Sequence, residues 1–252
     1  MKKNLVSIII PYHRKKKYFQ QTIKSIINQT YSKIELIVIY DDKSKLELDF
    51  VKKTIKKIKK KKLIINKTTL GAGQSRNIGI KRSSGKYIAF CDADDLWKKT
   101  KLEIQLKFMK NLEIDFSHTS YDIIDSGGGI IGFREADHEI KFNQLIRSCD
   151  IGLSTVLIKK NLLDRTNINF PKLKTKEDFV LWLKLSQNGV RMLGLKYRLT
   201  YWRKLNDSLS SSTFQKLLDG YKVYRIYMKF SIIKSIVFLF ILSMNFVIKK
   251  RN

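Results

Sequence analysis

Residues 86–98 read KYIAFCDADDLWK. The apolar run 87–91 has the length and continuity of a strand buried on both faces. It stops at three carboxylates, Asp92, Asp94 and Asp95, followed by Leu96 and Trp97. Acids at the carboxyl end of a buried strand stand where open α/β sheets take their ligands. Asp92 and Asp94 flank Ala93, and in extended backbone residues two apart point to the same side. Two convergent carboxylates repel unless something positive lies between them, and hard divalent cations favour such oxygen ligands. Mg2+ in particular is usually held by one or two carboxylates together with substrate phosphates. A solvated acidic turn capping the next helix is the alternative reading of the same residues.

Toward the N-terminus, the β-rich run 6–10 ends at Pro11 and predicts a first, central strand. A helix is expected over 18–29, where Phe19, Ile23, Ile26 and Ile27 share one face. The run 36–40 is a second buried strand, and it too ends in acid, Asp41 and Asp42. Val51, Ile55 and Ile58 mark a helix with a lysine-covered outer face, and 63–66 reads as a third strand. Gly71 and Gly73 open a further helix to about Arg82, and Gly85 marks the turn into the 87–91 strand. Strands alternating with helices argue for βαβ units on a parallel sheet with right-handed crossovers. The loops after Ile10, Tyr40 and Cys91 then face one crevice.

Past Trp97 a helix is expected to about Lys110, then strands over 116–124 and 154–158 and a buried helix over 177–187. The predicted class is α/β: a Rossmann-like, mostly parallel central sheet flanked by helices, with a C-terminal helical tail. No linker divides residues 1–212, so they read as one domain with halves at about 1–110 and 111–212, followed by a tail over 213–252.

The chain of 252 residues carries 51 Lys and Arg against 22 Asp and Glu, a formal charge of +29. Lysine supplies 40 of the 51, which favours a diffuse positive field over bidentate recognition. Nucleic acid, an anionic membrane surface or a polyanionic substrate would answer such a field, and a lysine-rich proteome would produce it with no partner at all. Nucleic-acid binding calls for arginine interleaved with aromatics on one face. Here lysine dominates and acids crowd the crevice, so no nucleic acid is expected. Cys91 and Cys149 are too few for a disulfide framework and lack metal-type spacing, which fits a reducing cytosol. The apolar run of the opening MKKNLVSIIIPYH is too short for a signal peptide.

Six stretches, in order, carry a family resemblance: SIIIPYHR (7–14), ELIVIYDDKS (35–44), GAGQSRNIGI (71–80), CDADD (91–95), KEDFVLWLKLSQNG (176–189) and YWRKLNDSLS (201–210). Together the chain resembles the bacterial family 2 glycosyltransferases of the GT-A fold. The resemblance implies a nucleotide-sugar donor, a UDP-sugar foremost, bound in the crevice. It implies that Pro11, Tyr12, His13 and Asp41 or Asp42 hold the base. A carboxylate is suited to accept the imide N–H of uracil. His13 is open to stacking on the base or to an ordinary surface role. Gly71 lets backbone approach the ligand, and Arg76 is placed by the resemblance against the nucleotide, with a salt bridge to Asp41 or Asp92 as the alternative. Asp92, Ala93 and Asp94 match the family's Asp-x-Asp motif, which implies ribose contact and a Mg2+ or Mn2+ ion held by Asp92 and Asp94. Asp95 is assigned a supporting part.

Glu177 and Asp178 match the late acidic pair that supplies the base of an inverting transfer, Asp178 as base and Glu177 as its neighbour. Acids opening a helix are also favoured by its dipole, which is the structural alternative. Trp182 faces either core or acceptor sugar. Two departures stand out. Leu205 occupies the place of a family histidine, leaving Arg203 or Lys204 to meet the diphosphate, and Lys43 replaces a glycine after the acid pair.

The run 232–248, IIKSIVFLFILSMNFVI, is the most hydrophobic and is flanked by Lys229 and Lys249-Lys250-Arg251. It is short for a spanning helix, and its basic flanks fit an interfacial helix on an anionic inner membrane surface. A core or dimer helix is the alternative. The expected enzyme is thus a metal-dependent transferase, cytoplasmic and peripheral to the inner face of the membrane. Its acceptor is a saccharide or polyprenyl-linked saccharide for capsule, O-antigen or a similar glycan. A nucleotidyltransferase on a related sheet, hinted at by His13-Arg14-Lys15-Lys16-Lys17, is the competing enzyme class, and a basic nucleic-acid or membrane-surface binding protein the non-enzymatic one.

Overall fold

A computed structural model describes residues 2–205 and 212–251. The Ser208-x-Ser210 end of the last motif lies outside them. In chain order the elements are β1 (Lys2–Tyr12), α1 (Lys16–Ile27), β2 (Ile34–Tyr40), α2 (Lys45–Ile55), β3 (Lys61–Ile65), α3 (Ala72–Arg82), β4 (Gly85–Phe90), β5 (Leu96–Trp97) and α4 (Lys101–Asn111). There follow β6 (Phe116–Ile124), β7 (Ile130–Arg134), α5 (Phe142–Leu145), β8 (Leu157–Lys159), α6 (Lys160–Thr166), α7 (Glu177–Gln187), β9 (Leu193–Arg203), α8 (Thr213–Lys222) and α9 (Ile232–Arg251).

One sheet runs β3-β2-β1-β4-β8-β6-β9-β5, with β7 pairing β6. The first four strands are parallel, as the alternation of strand and helix requires. Beyond β4 the sheet is mixed: β8 is antiparallel to β4 and β6, while β6 and β9 are parallel. Pro11 is tolerated in a central strand because β4 ends beside it. Cys91 N–H bonds Ile9 O at 3.1 Å, and the ladder toward β4 goes no further.

Period-two alternation divides the core. Ile8, Ile10 and Tyr12 turn to one face, packed with Phe19 and Ile23 of α1, Val51 of α2 and Leu106 of α4. Ile9, Ile37 and Phe90 turn to the other, against α6, α7 and the C-terminal helices. Helix α7 is apolar almost all round, and Phe179, Val180, Leu181, Trp182, Leu183 and Leu185 are wholly buried. Each such side chain contributes about 1.5–3 kcal/mol of burial, which fixes the helix that carries the late acids.

Several elements differ from the sequence reading. Leu96–Trp97, expected to lead into a helix, is a short strand antiparallel to β9, and α4 starts only at Lys101. The strand expected from Ser154 begins at Leu157, after a 3-10 turn over Leu153–Thr155. Lys61 and Lys62 belong to β3. Trp182 lies in the core, its ring centroid 5.1 Å from that of Phe116, so the acceptor-facing alternative is set aside.

Candidate active site

The crevice is built at the carboxyl ends of β1, β2 and β4. After β2, the two neighbouring aspartates have different work. Asp41 accepts from Asn66 Nδ2 at 2.7 Å, Leu70 N at 2.8 Å and Gly71 N at 2.8 Å. It thereby clamps the corner that opens α3, where Gly71 adopts φ 88°, a conformation glycine takes without strain. Asp42 turns the other way. Its Oδ1 accepts from Lys43 N and Ser44 N at 2.6 and 3.1 Å, closing a side-chain turn that needs no glycine at position 43. Its Oδ2 is buried without a hydrogen bond, 3.8 Å from both His13 Nδ1 and Arg14 Nε. Burial pushes the Asp42 carboxyl up. The Ser44 and Lys43 N–H groups and the charges of His13 and Arg14 outweigh it, leaving the pKa below the ordinary value. His13 Nδ1 lies 2.8 Å from Asp41 O, which orients the ring over this corner. Pro11 and Tyr12 lead into it as the last residues of β1, with the Tyr12 hydroxyl bonded to Glu47.

After β4, residues 92–95 do not continue the strand. Asp95 N–H bonds Asp92 O at 3.1 Å, so Ala93 and Asp94 form a turn. The extended backbone expected for Asp92 and Asp94 is therefore replaced by a tighter one, and each carboxylate meets its own cation. Asp92 Oδ1 accepts from Arg76 Nη2 at 2.7 Å, while Asp94 Oδ2 pairs with Lys15 Nζ at 2.8 Å. Ala93 is buried toward α1, its carbonyl accepting from Thr22 Oγ1 at 3.0 Å. Asp95 is a structural pin: Ser154 Oγ donates to its Oδ2 at 2.5 Å and Arg203 N to its Oδ1 at 2.9 Å. Burial first, then the neighbouring aspartates, hold the pKa of Asp95 well above the usual range.

Arg76 joins the two halves of the crevice. Its guanidinium is buried, donating to Asp92 through Nη2 and to Glu177 Oε1 through Nη1 at 2.5 Å, and lies 5.6 Å from the Phe170 ring centroid. Burial works against its charge, but the two carboxylates outweigh that and keep it a firm cation. Glu177 is committed to this pair. Asp178 forms no ion pair among the described residues; its Oδ1 accepts only its neighbour Phe179 N, at 2.8 Å. Burial raises the Asp178 pKa, Arg76 opposes the rise and Asp92 adds to it. Lys176, just before the pair, adopts φ 61°, a left-handed corner that turns the chain into α7.

Arg203 is at the same edge, yet its side chain binds protein. Nε donates to Asp94 O at 2.9 Å, Nη1 to Asp125 O at 3.1 Å and Nη2 to Gln21 Oε1 at 3.1 Å. It braces the aspartate turn against the β6–β7 turn and α1. Three residues of this site escaped the sequence reading. Lys15 had a signal in the basic run 14–17, whereas Ser154, which bonds both Asp92 N and Asp95, had none. Lys101 is wholly buried beneath the turn, 4.4 Å from the Trp97 ring centroid, and burial lowers its pKa to about 7.

Among the described residues no cluster of three or more His, Cys, Asp or Glu is arranged as a metal cage. The donors nevertheless fit a hard divalent cation completed by substrate phosphates. They are carboxylate oxygens only, a third of the Asp92 side chain is open at 34% exposure, and burial and Asp92 raise the Asp94 pKa despite Lys15.

The model of the glycosyl transferase family 2 matches residues 7–166. The chain belongs to that family. The glycosyltransferase is 35% identical over 218 residues to the Escherichia coli UDP-Glc:alpha-D-GlcNAc-diphosphoundecaprenol beta-1,3-glucosyltransferase WfgD, covering 84% of this chain and 82% of the relative. It is 30% identical over 224 residues to the putative teichuronic acid biosynthesis glycosyltransferase TuaG of Bacillus subtilis, covering 88% of each. Among solved structures, S. aureus TarS in complex with UDP-GlcNAc superposes with a TM-score of 0.74 at 22% identity, over 93% of this chain and 70% of that one. The mannosyltransferase PcManGT of Pyrobaculum calidifontis, in complex with GDP-Man and Mn2+, gives 0.70 at 14% identity, over 93% and 69%. These likenesses agree with the GT-A fold, and the nucleotidyltransferase reading is set aside.

Proposed function

We propose that this glycosyltransferase moves a sugar from a UDP-sugar, with inversion, to a lipid-linked saccharide at the inner face of a bacterial membrane, in the synthesis of a surface polysaccharide. Support for the donor and acceptor classes comes from the E. coli relative, whose name gives both UDP-Glc and a diphosphoundecaprenol-linked sugar. The observation that carries the chemistry is the division of labour in the acid pair: Arg76 takes Glu177 and leaves Asp178 unpaired.

Asp42 is assigned to the base, its Oδ2, which accepts no hydrogen bond within the chain, accepting the uracil N3–H, with His13, Pro11 and Tyr12 shaping the same corner. Asp41 and Gly71 act at one remove by setting the corner, and Arg203 by fixing the aspartate turn. Asp92 and Asp94 would hold Mg2+ or Mn2+, which when bound neutralises charge on the leaving diphosphate. Asp178 takes the proton of the acceptor hydroxyl as its oxygen bonds the anomeric carbon, and the bond from that carbon to the diphosphate oxygen breaks with its electrons. The proton ends on Asp178 and the pair on UDP. Titration of the purified protein with UDP, GDP and CMP, with and without Mn2+, tests the donor assignment. Metal-dependent binding of UDP alone supports it; preference for another nucleotide, or no binding, overturns it.

A further inference from the structure

Helix α9 packs inward through a narrow stripe and turns apolar side chains outward. Ser235 and Leu242 are buried, and Phe238 and Leu239 between them are partly so, the i, i+3, i+4, i+7 spacing of one face. On an ordinary surface helix the opposite face is polar. Here it carries Ile233 at 78% exposure and Phe240 at 65%, with Ile236 and Met244 also exposed. Phe214 of α8 is likewise exposed at 72%. Of 23 exposed large apolar side chains among the described residues, 13 fall within 213–251. Scattered exposed apolar residues need no explanation, but such a concentration marks an interaction surface.

Charge identifies what covers it. Residues 213–251 contain eight Lys and Arg and a single acid, Asp219. That acid is buried, accepting from Thr175 N at 3.0 Å and Thr175 Oγ1 at 3.1 Å. A second copy meeting the same patch in a two-fold dimer would bring these cations against themselves. An anionic bilayer would instead accept both the apolar side chains and the lysines around them. No helix among the described residues is long and apolar enough to cross a membrane, so the helix would lie in the interface.

We infer that the outward face of α8 and α9 is the surface on which this enzyme docks to an anionic lipid bilayer. The inference deepens the function proposed above and rests on it for its purpose. The inward side of α8 touches the chain just before the acid pair: Asp219 holds Thr175, and the Lys176 side chain passes over Gly220, where an added Cβ would meet its Cε at 3.5 Å. The crevice that receives a lipid-linked acceptor is thus braced by the element that meets the lipid.

The test is vesicle flotation of the full chain with phosphatidylcholine alone and with phosphatidylcholine mixed with phosphatidylglycerol, at low and high salt, with UDP binding as a fold control. The protein is expected on the anionic vesicles, to be weakened by salt, and to stay off phosphatidylcholine alone. Ile233→Asp with Phe240→Asp is expected to abolish flotation while UDP binding stays unchanged. Lys229→Asn with Lys234→Gln removes two surface charges and tests the inference even where the first variant fails to fold. It should lower partitioning about 25-fold, roughly fivefold per charge. Flotation absent, indifferent to lipid charge or unaltered in both variants overturns the inference. So does a dimer in light scattering that Ile233→Asp with Phe240→Asp dissolves without any lipid affinity, which makes the face a contact between copies. Sugar transfer to a detergent-solubilised acceptor, measured in parallel, separates loss of the docking surface from loss of the proposed reaction.

Discussion

Arg76 Nη1 donates to Glu177 Oε1 at 2.5 Å across 101 positions of sequence, and its Nη2 holds Asp92. One buried cation therefore ties the Asp-x-Asp turn to the start of α7 and fixes which member of the acid pair remains available. Removing it strands the buried Glu177 carboxylate and leaves the partly open Asp92 without its cation. Arg76→Ala is expected to lower unfolding stability by about 3–5 kcal/mol, the usual cost of leaving a buried charge without its partner. Urea denaturation measures the loss. Arg76→Lys keeps the charge but cannot span both carboxylates in the same planar geometry, and should fall between.

Asp41 and Asp42 are adjacent, yet their substitutions should fail in different ways. Asp41→Ala removes the buried acceptor shared by Asn66, Leu70 and Gly71 and frees the corner that opens α3, so the melting temperature should fall. Asp42→Ala removes the acceptor proposed for uracil and should weaken UDP binding about tenfold or more, a charged hydrogen bond contributing about 1.5–3 kcal/mol. Calorimetric titration beside thermal melting separates the two. Equal loss of UDP affinity in both variants, with both folded, would remove the distinction drawn between them.

Lys101 makes a prediction about pH. Burial lowers its folded pKa to about 7, below the ordinary lysine value of 10.5. Between those values the unfolded chain binds more protons at this position than the folded one. Its contribution to stability therefore rises with pH across the window, by up to about 1.4 kcal/mol per unit, and is flat below it. Lys101→Met should flatten the rise between about pH 7 and pH 10 in denaturation curves, and gain most over the native protein at or below neutral pH.

Most of the parallel half of the sheet was legible because β1, β2 and β4 carry apolar runs with abrupt sequence signals at their ends, Asp41 after β2 and Asp92 after β4, although β1 runs through Pro11 to Tyr12. Strand β5 is only Leu96 and Trp97, too short to show a period, and exists because β9 pairs with it. Strand β9 mixes polar and apolar residues and pairs β6 through register shifts around Ser120, which blurs the alternation a strand normally displays. The site was legible as residue types at strand ends and not as roles. Asp41 and Asp42 look alike until Asn66, Leu70 and Gly71 arrive from the next loop to claim one of them. Arg203 reads as a phosphate ligand by position, but the backbone oxygens of Asp94 and Asp125 that engage it lie far away in sequence. Residues 92–95 looked extended because the strand before them is, and the Asp95 N–H to Asp92 O bond turns them.

The assignment of Asp178 as base is tested most directly by steady-state transfer from a UDP-sugar to a lipid-linked acceptor, comparing the native protein with Asp178→Asn and Glu177→Gln. The raised Asp178 pKa of the free protein moves the acid limb of native kcat/KM to higher pH than an ordinary aspartate would give, with activity present above it and lost as pH falls through it. Asp178→Asn is predicted to lose about 10²–10⁴-fold in kcat while UDP affinity and melting temperature hold, and to abolish that limb. Glu177→Gln keeps an acceptor for Arg76 Nη1 but removes the charge opposite the buried guanidinium, and is predicted to lose stability first. A folded Asp178→Asn enzyme with native kcat, beside a folded Glu177→Gln enzyme with none, would contradict the account.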